Sequence, residues 1–65
     1  MNIKYFQDTD TLYIEFSKSE VAETRDLNED TQLDMDSAGN IVAITVEHAR
    51  HRADIPHFSF EQVAA

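Results

Sequence analysis

Three histidines stand close together near the C-terminal end of this chain: His48, His51 and His57. Neutral imidazole is a ligand for zinc and nickel. His48 and His51 are three residues apart, a spacing that would put both on one side of a helix. No glutamate follows His48, so this is not the H-E-x-x-H helix of zinc proteases, and Arg50 and Arg52 beside the pair would repel a cation. Surface histidines, or histidines at a dimer contact, are the plainer expectation.

Carboxylates are the other abundant chemical group. They come in neighbouring pairs: Asp8 and Asp10, Glu29 and Asp30, Asp34 and Asp36. Acid–base catalysis needs such groups with perturbed pKa values inside a cleft, and a sheet of short strands leaves little room for a cavity of ~300 Å3. Asp34-x-Asp36-x-Ala38-Gly39 opens like a calcium loop. It then offers Ala38 at the fifth position and Thr45 at the twelfth, where oxygen ligands belong. The chain has no cysteine and one glycine, so it has neither a thiol nucleophile nor a glycine-rich phosphate loop. Ser17, Ser19, Ser37 and Ser59 fall in no nucleophile motif. The expectation is a protein that is not an enzyme and holds no cofactor.

The elements that position these groups follow from the pattern of apolar residues. Thr31, Leu33 and Met35 alternate with Gln32, Asp34 and Asp36, the period of a half-buried strand. Gly39 supplies the positive φ of a tight turn, flanked by Asp36 and Asn40. Ile41 to Val46 is β-branched everywhere except Ala43, which favours a strand over a helix. Strict alternation would send Ile41 and Ala43 to one face and Val42, Ile44 and Val46 to the other. A ribbon apolar on both faces needs cover on both.

Upstream, Ile3–Phe6 and Thr11–Ser17 predict two strands around the turn 7–10, with Leu12, Ile14 and Phe16 inward. Val21–Leu27 predicts an edge strand whose charges discourage pairing with other chains. Downstream, Glu47–Ala53 has helical propensity, stopped by Asp54-Ile55-Pro56. Ser59 with Gln62 predicts a second capped helical turn. The expected fold is α+β: one domain over residues 1–65, with an antiparallel β-meander of four or five strands in 1–46 and a short helix or arm in 47–65.

Formal charge is −8, from 5 basic and 13 acidic residues. Ten of the carboxylates lie in residues 1–46, against Lys4, Lys18 and Arg25. Such a body repels nucleic acid and attracts a basic protein. No signal peptide or membrane-spanning run is legible, so a cytoplasmic protein is expected. A chain this short buries only roughly 60% of its unfolded surface, and small cores without disulfides often depend on a second copy. A homodimer is therefore expected.

Two stretches together carry a resemblance. One is Tyr5-x-x-x-x-Asp10-x-Leu12-Tyr13-Ile14. The other is Asp34-x-Asp36-x-x-Gly39-x-Ile41-Val42-x-Ile44, leading through Val46 into Glu47-His48-Ala49. In this order and spacing, the chain resembles the small bacterial domain-of-unknown-function family 2283 over roughly residues 3 to 52. It departs at Ala43, where the family tends to have glycine, and at Thr45, where it tends to have glutamate. The resemblance implies a β-meander followed by a helix, and an antitoxin-like role beside small toxin-like proteins. On that view Glu15, Asp34 and Asp36 are the candidate partner-binding residues on an acidic sheet face. The alternative is a small metal- or ligand-binding protein using His48, His51 and His57.

Overall fold

A computed structural model describes residues 1–55 and 57–64. Five strands are formed: β1 (Asn2–Phe6), β2 (Thr11–Glu15), β3 (Glu23–Asn28), β4 (Thr31–Met35) and β5 (Ile41–Val46). A four-residue helix, α1 (Ala49–Arg52), follows. All pairings are antiparallel, and the expected small α+β fold, a five-stranded meander-like sheet followed by a short C-terminal helix, is what the chain adopts. The order in the sheet is β1-β2-β5-β4-β3. Consecutive strands are neighbours except at one place. The connection 16–22 carries the chain from β2, past β5 and β4, to the far edge, so that β5 docks between β2 and β4. Strands β2 to β5 thereby form a Greek-key arrangement. β3 is an edge strand, as its charges predict, and β1 is the other edge.

The register sorts the side chains into two faces, since residues paired across antiparallel strands project to the same side. Ile3, Ile14, Ile44 and Leu33 form one row across four strands, ending at Arg25 on β3. Tyr5, Leu12, Val46 and Thr31 form the next row on that face. The opposite face carries the rows Asn2, Glu15, Ala43, Asp34, Thr24 and Lys4, Tyr13, Thr45, Gln32, Asp26. One face is thus apolar and the other polar, with Phe6 the large apolar side chain on the polar side.

A bulge in β5 changes the expected alternation. Asp34 pairs with Ala43 but Met35 pairs with Ile41, which leaves Val42 as the extra residue. The Val42 carbonyl accepts from the backbone N–H groups of Phe16 (2.7 Å) and Ser17 (3.3 Å). The bulge brings Ile41 to the same face as Met35, where strict alternation would have sent it to the side of Ala43. The apolar face gains a residue by this.

The turn at Gly39 forms as its sequence requires. Gly39 has φ +84°, and Asp36 Oδ1 accepts from the N–H groups of Ala38 and Asn40, both at 2.9 Å. Downstream, the helix is shorter than Glu47–Ala53 because His48 takes a left-handed conformation (φ 53°) and Ala53 is extended. The second helical turn from Ser59 does not form: residues 57–64 run without regular structure. A turn that short has no packed apolar face to hold it. The expected stop at Pro56 lies outside the described residues.

Candidate functional site

One end of the sheet gathers three segments: the turn 7–10, the turn between β3 and β4, and the chain that leaves β5. The departing chain is pinned to both turns through its backbone. Glu47 N–H donates to the Asp30 carbonyl at 2.7 Å, and Ala49 N–H donates to the Asp10 carbonyl at 2.9 Å. The side chains of the same two aspartates complete each contact.

Asp10 sits at φ 54°. That left-handed conformation disfavours most residues, and aspartate is among those that tolerate it. Its carboxylate accepts from the Tyr5 hydroxyl (2.5 Å) and from the Arg50 backbone N–H (3.3 Å). Arg50 Nε in turn donates to the Tyr5 hydroxyl oxygen at 3.0 Å. The hydroxyl's hydrogen bond to Asp10 holds the Asp10 carboxyl below its ordinary pKa and raises that of Tyr5.

Asp30 forms the second contact, with a side chain only 13% exposed. It meets His48 Nδ1 at 2.8 Å and accepts from Arg52 Nε at 3.0 Å, with Arg52 Nη2 at 2.9 Å. The hydrogen bond with His48, then the one with Arg52, lower the Asp30 pKa. The Asp30 carboxylate raises that of His48. These two clusters are structural clamps. Each neutralises a carboxylate with a cation and ties the C-terminal segment to a turn.

The carboxylate pairs of the sequence are therefore split. Asp10 and Asp30 hold the fold, while their neighbours Asp8 and Glu29 are exposed, Glu29 reaching Arg52 Nη2 only at 3.6 Å. Tyr5, Arg50 and Arg52 escaped residue-by-residue reading because their partners lie far along the chain. The spacing of Tyr5 and Asp10 was the one available signal.

The histidines do not share a helix face, because His48 stands ahead of α1 and its ring is turned to Asp30. His57 Nδ1 lies 2.9 Å from Asp54 Oδ1. Among the described residues, no group of three histidine or carboxylate side chains is placed to hold a metal ion.

Of the residues expected at an acidic face, Glu15 and Asp34 are brought together. They flank Ala43 in one row, two strand spacings apart, or about 9.6 Å along the sheet. Neither is in an ion pair among the described residues, and the Thr24 hydroxyl donates to Asp34 Oδ1 at 2.7 Å. Asp36 is placed differently. Both its oxygens accept within the turn, and the Asn40 N–H lowers its pKa first of all.

Open clefts are larger than a bare sheet would give. One of about 470 Å3 is lined by Tyr5, Gln7, Arg50 and Ile55. Another of about 380 Å3 lies against Tyr5, Phe6, Gln7, Asp8 and Thr9. The C-terminal segment, clamped beside β1, builds the wall of the first, which sequence reasoning confined to strands did not anticipate.

No helix of the described residues is long and apolar enough to cross a membrane. Searches of curated proteins and of solved structures return no match. A family model matches residues 2–50, which takes in all five strands and ends at Arg50 of the Tyr5–Asp10 clamp, with the arm beyond it. The chain belongs to that family, described as a protein of unknown function (DUF2283).

Proposed function

We propose that this protein is a non-enzymatic protein-interaction module whose acidic sheet face receives a basic protein partner, as an antitoxin-like role would require. The observation that carries this is the row Glu15–Ala43–Asp34. Two carboxylates without ionic partners among the described residues stand on either side of a fully buried small residue. Asp26 lies on the same face, and Lys4 is the cation there. Carboxylates that the fold does not neutralise remain available to an incoming Lys or Arg. By contrast, Asp10, Asp30 and Asp36 are consumed by the structure. The net charge of −8 adds long-range attraction for a basic surface.

The test compares wild type with the Glu15→Gln, Asp34→Asn double variant in cross-linking from native extract. A basic protein captured by wild type, and lost both in the variant and at ~1 M salt where charges screen within roughly 3 Å, supports the proposal. Equal capture by both proteins, or capture of no basic protein, rejects it.

A further inference from the structure

Among the described residues, no layer covers the whole apolar face of the sheet: Ala49 of α1 is buried and Ile55 half-buried, but Ile3 and Ile41 stay exposed. Domains bury their apolar faces between two packed layers. Here the second layer would have to come from α1, which has four residues, or from the arm. The described arm leaves most of its own apolar surface open, since Phe58, Phe60 and Val63 are 44%, 79% and 75% exposed. The whole chain measures 18 Å along its shortest axis, and its radius of gyration is 12.7 Å, against about 10.7 Å for a compact chain of this length. On the sheet, Ile14, Ile44 and Leu33 reach only intermediate burial, and Ile3 and Ile41 are exposed. Leu12 and Val42 are the buried residues of that face.

Area accounts for what is missing. The chain exposes 5144 Å2. A folded monomer of 7.4 kDa is expected to expose about 4200 Å2. The excess is about 900 Å2, and a standard protein interface takes about 800 Å2 from each partner. Part of the excess belongs to the arm, so the sheet face and the arm together have the size of one side of such an interface.

We infer that the apolar face, centred on Ile3, Ile14, Ile44, Leu33 and Ile41, packs against the same face of a second copy of this chain, with the arm 57–64 in the same interface. The distribution of charge fits a self-pairing face. Glu15, Asp26 and Asp34 are on the opposite side, so pairing does not bring these three together, and the arm 57–64 adds one carboxylate, Glu61. The charges at the apolar face's β3 edge are Glu23 and Arg25, which neutralise each other at 2.9 Å. A two-fold axis through the face makes the row of isoleucines and leucine complementary to itself. Two such sheets would stack about 10 Å apart, as in a β-sandwich.

Sedimentation equilibrium of the full chain at micromolar concentration tests this. The expected mass is twice 7.4 kDa. A single-chain mass throughout overturns the inference. Face assignment comes from two lysine variants, each checked for native circular dichroism. Ile3→Lys, on the exposed edge of the apolar face, is expected to raise the dimer dissociation constant roughly tenfold or more, a difference of 1.4 kcal/mol. Thr45→Lys, on the polar face, is expected to leave it unchanged. The reverse pattern overturns the assignment. Should Ile3→Lys not fold, Ile41→Lys at a 48% exposed position takes its place. The Glu15→Gln, Asp34→Asn variant is expected to keep the dimer mass, so loss of the basic partner and loss of the dimer are read separately.

Discussion

The two faces of this sheet solve the same packing problem differently. On the polar face the central position is Ala43, fully buried because its flanking rows and small size close over it. Its neighbours Glu15, Asp34, Thr45 and Gln32 need no cover. On the apolar face the same central strand presents Val42, Ile44 and Val46. Only Val42, locked by the bulge, is buried there. One face is finished by a single chain and the other is not. In a chain this short, amphipathicity by itself makes a surface; it does not make a core.

The largest effect in breaking that comparison should come from the few residues that are buried on the apolar side. Leu12→Ala is expected to cost about 3 kcal/mol in urea denaturation, since it deletes a 4% exposed side chain at the heart of the row. Next is overpacking on the opposite side. Ala43→Leu should cost about 2 kcal/mol by the same measurement, because a fully buried position cannot take the added volume without shifting β2 or β4. A cost near zero there would show the polar face to be looser than its register implies. Gly39→Ala is smaller, about 1 kcal/mol, for forcing a side chain into φ +84° where space is open and only the backbone objects.

The clamps at the end of the sheet give a pH dependence that neither face shares. His48 has a raised pKa in the folded chain, so its contribution is complete below the ordinary imidazole value of 6.5. It fades as pH rises through the raised value. Asp30 has a lowered pKa, so its contribution is complete above the ordinary carboxylate value of 3.8 and fades as pH falls through the lowered value. The pair is therefore most stabilising between those two ordinary values. Thermal unfolding should show a modest rise in that window over neutral pH, and Asp30→Asn should flatten it. The smallest effect is expected at Glu15→Gln, within about 0.5 kcal/mol of wild type, since no partner within the described fold depends on that charge.

These contrasts also mark what the sequence could show. The strands were legible because Thr31–Met35 alternates and Ile41–Val46 is β-branched, and both signals act through local sterics. The edge position of β3 was legible from its charges. The bulge at Val42 was not, because it depends on β5 meeting β2 and β4 at once. The insertion of β5 beside β2 was equally hidden, since nothing in residues 16–22 announces which strand the chain will pass. The clamps joined Tyr5 to Arg50 and Asp30 to Arg52 across separations that no local pattern records. That Glu15 and Asp34 share one face was legible from alternation, and the register puts both beside Ala43. Asp36 is placed by a local cause that alternation does not record: both its oxygens accept within the glycine turn.

The most direct measurement of the central claim, that a second copy covers the apolar face, is the broadening of methyl resonances by a soluble paramagnetic chelate. Within a single chain Ile3, Ile41 and Thr24 are all exposed. With the apolar face covered by a second copy, the Ile3 and Ile41 methyls stay sharp while the Thr24 methyl, on the polar face, is broadened. Equal broadening of all three would contradict the account.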